Sequence, residues 1–201
     1  RGTPEAWKDC GYDPQALTYY FIGKDNIPFH AVIWPAQLIG TSKLYAGEKD
    51  GPLNLPTDVP ANEFMNLEGK KISGSRNWAV WGLDAVERYG PDPIRYYLTV
   101  NMPESRDTDW DWGDFLRRNN DELVATWGNL ANRVLTFSYR NWDGRVPDPG
   151  ELRAEDNELL AKADRAFATA GGFYEAVQLR AALGDAMALA GKVRGVRPVQ
   201  A

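Results

Sequence analysis

The chain contains one cysteine, Cys10, and one histidine, His30, in 201 residues. A lone cysteine closes no internal disulfide and cannot complete a cysteine-based zinc site. No resident metal is therefore expected, and the cytoplasm is the default compartment. No apolar run approaches the ~20 residues needed to cross a bilayer, and the N-terminus has no charged-then-apolar leader pattern, so no membrane role is expected. Positive charge is also in short supply. The formal net charge of -5 argues against a general nucleic-acid coat, whose affinity comes from neutralising many phosphates with Lys and Arg, so any RNA contact must be local. Lys192, Arg194 and Arg197 form one basic stretch without a nearby acid, best read as a solvated tail. Methionine is absent from position 1, and the expectation is a piece of a longer polypeptide.

What the sequence does contain supports a folded protein: a 43% hydrophobic content is ordinary, and 22.5 kDa can bury one generous core or two modest ones. Residues Tyr19 to Ile22 are aromatic and β-branched, end at Gly23, and predict a strand. Pro28 suits the first turn of a helix carrying Phe29, Val32, Ile33, Leu38 and Ile39, which is expected to stop at Gly40, with Pro35 kinking or dividing it. In an open α/β sheet, ligands lie beyond the carboxyl ends of strands, so Gly23, Asp25 and Asn26 occupy ligand-facing positions. Thr41 to Pro60 reads as an irregular connection. Glu63 to Leu67 reads as a short strand, turned by Glu68 and Gly69.

Farther along, Trp78 and Trp81 are expected to pack. Asp84 to Tyr89 reads as a helix closed by Gly90, and Pro93 opens another that Pro103 ends. An acidic link follows around Asp107 to Asp111. Phe115 to Tyr139 then places Leu116, Leu123, Val124, Trp127, Leu130, Val134 and Phe137 at 3- and 4-residue steps, the pattern of a long amphipathic helix. Asp143, Gly144, Pro147 and Pro149 break it. Two further helices, roughly Glu151 to Ala170 and Phe173 to Arg194, are expected on either side of Gly171 and Gly172. The predicted fold is mainly α with an α/β part in residues 1–103, followed by an antiparallel helical bundle in 104–201.

The most informative segment is Lys71, Ile72, Ser73, Gly74 and Ser75. A phosphate needs donors at short range and a backbone it can approach closely, and this cationic, hydroxyl-rich turn offers both. Lys, Ser and Gly also populate ordinary solvated turns, so the pentapeptide by itself does not decide between the two.

Several separated segments together resemble the methionyl-tRNA synthetase family, a branch of the class I aminoacyl-tRNA synthetases. Tyr20 to Asn26 followed by Phe29, His30, Trp34, Pro35 and Ala36 carry the first part of the resemblance. Pro60 to Glu63, Glu68, Gly69 and Lys71 to Ser75 resemble the approach to the family's Lys-Met-Ser-Lys-Ser signature, continued by Arg76, Asn77 and Trp78. Trp127 to Arg133 resemble the first long helix of its anticodon-binding bundle. The resemblance implies the C-terminal remnant of a Rossmann-type nucleotide-binding catalytic domain ahead of the bundle. It implies that Gly23, Asp25 and Lys71 hold ATP, that Lys71, Ser73 and Ser75 assist catalysis, and that His30 and Trp34 line a methionine pocket. It further implies that Asn129 and Arg133 read the anticodon of a methionine-acceptor tRNA.

The implied activity is that of a methionine-tRNA ligase, which uses ATP with Mg²⁺ to activate methionine and then transfers it to tRNA. Departures from the family pattern are specific. Gly74 stands where the family usually has a second lysine. The family's His-Ile-Gly-His signature cannot be present with His30 the only histidine, its zinc-bearing insertion is missing, and no base-stacking tryptophan follows the last helix. These 201 residues alone are therefore expected to be inactive and to need an N-terminal half as partner. A noncatalytic tRNA-binding protein derived from such a synthetase is the alternative.

Overall fold

The computed structural model describes residues 3–45, 51–146 and 148–195. Pro147 and Arg197, and with them part of the expected loop and tail, lie outside the described residues. Contacts divide the chain into two compact units: Arg1–Phe64 with Pro103–Asp107, and Met65–Met102 with Thr108–Ala201.

In the first unit, a short helix α1 (Lys8–Gly11) precedes strand β1 (Ile22–Gly23), which pairs in parallel with β2 (Ala61–Asn62). The ladder extends back through a bridge between Tyr19 and Asp58 and through the Ile22 N–H donating to the Pro60 carbonyl at 3.1 Å. The predicted strand thus forms, although regular pairing is confined to its end. A 3-10 turn (Lys24–Asn26) and a widened π-helical turn (Phe29–Ile33) lead into α2 (Trp34–Tyr45).

A stop at Gly40 and a division at Pro35 both fail, although the winding changes from π to α at Trp34, directly ahead of the proline. The helix does not stop at Gly40, because a glycine terminates a helix by adopting positive φ and Gly40 does not do so. Pro35 does not divide it either. Proline lacks an N–H for the carbonyl four residues back and crowds that carbonyl, and the preceding π turn, closed by the Trp34 N–H on the Phe29 carbonyl, widens the backbone just ahead of the ring. Thr41 to Tyr45, expected to be irregular, are consequently helical.

The only residue of this unit that is buried among those described is Ser42, whose Oγ accepts the Leu53 N–H at 2.8 Å. Asn54 stitches the N-terminal segment down, its side chain donating to the Cys10 and Asp13 carbonyls. Large apolar side chains, among them Phe21, Phe29, Val32 and Ile39, remain exposed.

The second unit opens with a hairpin of β3 (Met65–Leu67) and β4 (Lys70–Lys71). Its two-residue turn, Glu68 and Gly69, has φ of 50° and 71°, the double positive φ of a type I′ connection that matches strand twist. The predicted turn is present, but the strand begins at Met65, since Ala61–Asn62 belongs to the other sheet. Strand β5 (Thr108–Trp110) lies parallel to β3, inside the segment expected to be a plain link.

Helices α3 (Gly82–Tyr89) and α4 (Pro91–Val100) meet at Gly90, whose φ is 83°. The second starts at Pro91 rather than Pro93, proline being suited to a first turn. Around them, Leu67, Ala85, Ile94, Tyr97, Trp110 and Phe115 form a buried core. Tyr97 meets Trp110 edge-on at 4.9 Å and Phe115 at 5.4 Å, the offset geometry that aromatic quadrupoles favour. Trp78 packs against this core, whereas Trp81, also expected to pack, is 51% exposed.

The long helix is continuous from α5 (Trp112–Arg118) through a π-helical stretch (Asn119–Gly128) to α6 (Asn129–Trp142). The Asp111 carboxylate caps its start, accepting the Asp114 N–H at 2.6 Å. Its apolar stripe is only partly covered among the described residues: Val124, Trp127, Val134 and Phe137 are each more than half exposed. Helix α7 (Ala154–Glu175) runs through Gly171 and Gly172, and the break falls instead at Ala176 to Gln178, where Val177 has φ 57°. A three-residue connection to α8 (Leu179–Gly195) makes α7 and α8 an antiparallel pair, and Ala182 and Ala190 of α8 are buried. The described residues are thus mainly helical with two small sheets.

Candidate functional site

Glycine at position 23 leaves room for the Asp25 carboxylate, and its backbone torsion does not call for glycine. Gly23 has extended φ and ψ of -81° and 151°, open to any residue, but a Cβ there would lie 2.9 Å from Asp25 Oδ1. The bare backbone lets the Asp25 carboxylate fold over the end of β1, where its oxygen accepts from the Asn26 side-chain amide at 3.1 Å. An acidic acceptor pair is thereby set at the carboxyl end of a parallel strand pair, the position at which open α/β sheets meet ligands.

His30 and Trp34 come together on one more residue, Tyr20. The Trp34 indole N–H donates to the Tyr20 hydroxyl at 3.0 Å, and the Tyr20 and His30 rings lie 5.8 Å apart. His30 Nδ1 is 3.2 Å from the Asn26 carbonyl. Tyr20 was not assigned a site role from sequence. Its signal was its place on the strand opposite the helix face that carries His30 and Trp34. A groove of about 630 Å³, lined by Trp7, Cys10, Tyr20, Trp34, Leu38 and Leu53 among others, adjoins the Trp34 side of this cluster. His30 does not line it.

In the second unit, the lysine-serine turn is a closed loop. Ser73 and Trp78 exchange both backbone hydrogen bonds, at 2.8 and 3.0 Å, pinching off a 3-10 turn (Gly74–Arg76) that Asn77 closes in the left-handed region at φ 50°. Ser73 Oγ and Ser75 Oγ are 3.2 Å apart, presenting two hydroxyls side by side. The base is anchored by the Trp78 indole N–H on the Leu67 carbonyl at 3.1 Å, and Trp81 braces Asn77 at 3.2 Å. Of the two lysines, Lys70 stacks over the Trp78 ring at 5.3 Å, while Lys71 is exposed at the end of β4, two residues before Ser73. Gly74 has ordinary room, the nearest atom to a Cβ there being Trp81 at 3.8 Å.

Asn129 and Arg133 both stand on α6, one turn apart, Asn129 half-buried and Arg133 exposed. Upstream on the same long helix, Asp114 binds Arg117 and Arg118, and Glu122 accepts the buried Tyr96 hydroxyl at 2.6 Å. Burial first, and then the Glu122 carboxylate, push the Tyr96 phenol well above its ordinary range. Among the described residues, no group of three His, Cys, Asp or Glu side chains could hold a metal ion, and no helix is long and apolar enough to cross a membrane.

Comparison with known proteins places these elements in one family. Residues 1–135 match the family described as tRNA synthetases class I (M). The chain is 56% identical over 194 residues to a methionine–tRNA ligase of Roseiflexus castenholzii, covering 94% of this chain and 31% of that protein. It is 53% identical to the enzyme of the same name from Thermomicrobium roseum, covering 96% and 32% respectively. Among solved structures, a Mycobacterium tuberculosis methionyl-tRNA synthetase bound by methionyl-adenylate superposes with a TM-score of 0.74 at 32% identity, covering 90% of this chain and 33% of that one. The chain therefore spans about a third of the length of these relatives. With two thirds of its residues inside the matched region, it belongs to the class I tRNA synthetase family, methionyl (M) group.

Proposed function

We propose that these residues serve a methionine–tRNA ligase, supplying the end of its catalytic domain (1–103, with the signature loop at 71–75) and an anticodon-binding bundle (104–201). The observation that carries the reading is the pinched loop, which sets two hydroxyls 3.2 Å apart on a base held by tryptophan, with exposed Lys71 two residues ahead of them in sequence. The relatives' names, and the adenylate in the M. tuberculosis structure, support methionine as the amino acid.

In the reaction, a methionine carboxylate oxygen attacks the α-phosphorus of ATP, and the bond to the bridging oxygen breaks, releasing pyrophosphate. A terminal ribose hydroxyl of tRNA then attacks the adenylate carbonyl and AMP departs. Negative charge grows on the leaving pyrophosphate, and Mg²⁺ entering with ATP offsets part of it. Lys71, Ser73 and Ser75 stabilise the same developing charge with donors set before the reaction begins. The Asp25 carboxylate, cleared by Gly23, accepts from ribose hydroxyls. His30 and Trp34 line the methionine pocket, where sulfur against an aromatic ring contributes ~0.3 to 1.5 kcal/mol.

Asn129 and Arg133 project amide and guanidinium donors suited to unstacked loop bases. The natural setting for this chemistry is the cytoplasm. Alone, the 201 residues lack a two-histidine signature and are expected not to charge tRNA. Exposed Gly74, in place of a second signature lysine, favours the competing reading of a noncatalytic tRNA-binding protein.

The test is ATP–pyrophosphate exchange with each amino acid in turn, in a ligase of the relatives' full length that carries these residues. Exchange dependent on methionine is the expected result. Exchange with another amino acid, or with none, contradicts the proposal.

A further inference from the structure

Between Gly23 and Asp25 stands a lysine whose ammonium is held by two carboxylates. Lys24 pairs with Glu63 and reaches Asp107 Oδ1 at 3.4 Å, while its ammonium lies 4.6 Å over the Phe64 ring. The pairing follows from register. Ile22 and Gly23 of β1 face Ala61 and Asn62 of β2, so the next two positions at the carboxyl ends of the parallel strands are Lys24 and Glu63.

The segment Pro103–Asp107 completes the cluster. The Glu63 N–H donates to the Pro103 carbonyl at 2.8 Å, and the Phe64 N–H donates to Asp107 Oδ1 at 3.0 Å. That amide first, and the Lys24 ammonium second, hold the Asp107 carboxyl below its ordinary range, and the bond to Glu63 holds Lys24 above its own. One cation thus joins three chain segments that are far apart in sequence. Each of the three side chains is between about a third and a half exposed, so ionic attraction in water is weak here and the cluster's value is geometric.

We infer that Lys24 is a positioning residue for the nucleotide: drawn onto Glu63 and Asp107, it fixes the turn at the end of β1 and leaves the adjacent Asp25 carboxylate to accept the ribose hydroxyls. The inference rests on the ribose role given to Asp25 above. Two consequences follow from charge alone. Without the ammonium, the Glu63 and Asp107 carboxylates face each other uncompensated and push the segments apart. Arginine, which keeps the charge and adds donors, preserves the join.

The experiment compares ATP with 2′-deoxy-ATP in methionine-dependent pyrophosphate exchange, using a ligase of the relatives' full length that carries these residues. A ribose hydroxyl bonded to a carboxylate gives a preference for ATP in kcat/KM, which Asp25→Asn should reduce ~10-fold or more. Lys24→Met should reduce the same preference several-fold and raise the KM for ATP while leaving the KM for methionine unchanged, and Lys24→Arg should restore both. A merely structural role would lower rates with both nucleotides equally and leave their ratio intact, which would overturn the inference. If Asp25→Asn itself leaves the ratio unchanged, the ribose reading of Asp25 fails. If Asp25→Asn lowers the ratio and Lys24→Met does not, the ribose reading stands and the role given to Lys24 is wrong. Hydrogen exchange at the Asp25 and Asn26 amides of the 201-residue chain is the second readout: faster in Lys24→Met and unchanged in Lys24→Arg supports the inference, and equal rates in all three proteins contradict it.

Discussion

Replacing Gly23 with alanine separates stability from function. The added Cβ would sit 2.9 Å from Asp25 Oδ1, and ordinary contact begins at 3.4 Å, so the carboxylate must retreat by about 0.5 Å. Its owner is a flexible side chain at the surface, which makes the retreat inexpensive for the fold. The backbone at -81° and 151° accepts alanine without strain, and reduced freedom in the unfolded chain adds ~0.4 to 1 kcal/mol of stability.

A hydrogen bond between the Asp25 carboxylate and a ribose hydroxyl, stretched by such a displacement from an ordinary ~2.7 Å length, passes beyond the ordinary range and loses much of its strength. A bond to a charged group contributes ~1.5 to 3 kcal/mol, so kcat/KM for ATP should fall roughly 10- to 100-fold. The assay is pyrophosphate exchange at varied ATP, paired with thermal melting. Equal or higher Tm with a large loss on the ATP side is expected. An unchanged kcat/KM for ATP, or a fall in Tm that accounts for the loss, would refute the reasoning.

Gly74→Lys should raise pyrophosphate exchange, since the loop has room for a side chain and no positive φ at that position, and a second cation meets the departing charge; no rise would count against the loop's role. Asn129→Ala and Arg133→Ala should each weaken binding of a methionine-acceptor anticodon stem-loop by ~1 to 3 kcal/mol without weakening a stem-loop of altered anticodon, measured by filter binding. Tyr97→Ala, which empties a fully buried ring site, should cost ~3 to 5 kcal/mol in denaturant unfolding. Burial pushes the Asp114 carboxyl up, but hydrogen bonds from Arg118 and Arg117 outweigh it and leave it below the ordinary 3.8. A depressed folded value means that Asp114 stabilises the fold at neutral pH and that this contribution is lost as pH falls below about 4, so Asp114→Asn should flatten the acid side of the stability profile.

Much of this was legible before any coordinates, because local chemistry decided it. Glu68 and Gly69 read as a turn because a polar residue and a glycine end the short, largely apolar run of Phe64 to Leu67, and the helix after Pro28 was visible from its period. The errors lie where long-range context overrides a local breaker. Gly40, Gly171 and Gly172 carry a stop signal in the sequence, yet a glycine ends a helix only when the chain turns there, and none of the three adopts positive φ. Pro35 is accommodated by a π turn that no residue pattern announces. Strand β5 was invisible because Thr108, Asp109 and Trp110 pair with Met65 to Leu67 across about forty residues. The Lys24 cluster was missed for the same reason, since its three charged residues are brought together only by parallel register.

The central claim is that the turn from Lys71 to Ser75 handles the phosphates of ATP during methionine activation. It is tested most directly by single-turnover formation of methionyl-adenylate with Lys71→Ala, in a ligase of the relatives' full length that carries these residues. The account predicts adenylate formation slowed ~100-fold or more, with methionine binding intact. Adenylate formed at the parental rate would contradict it.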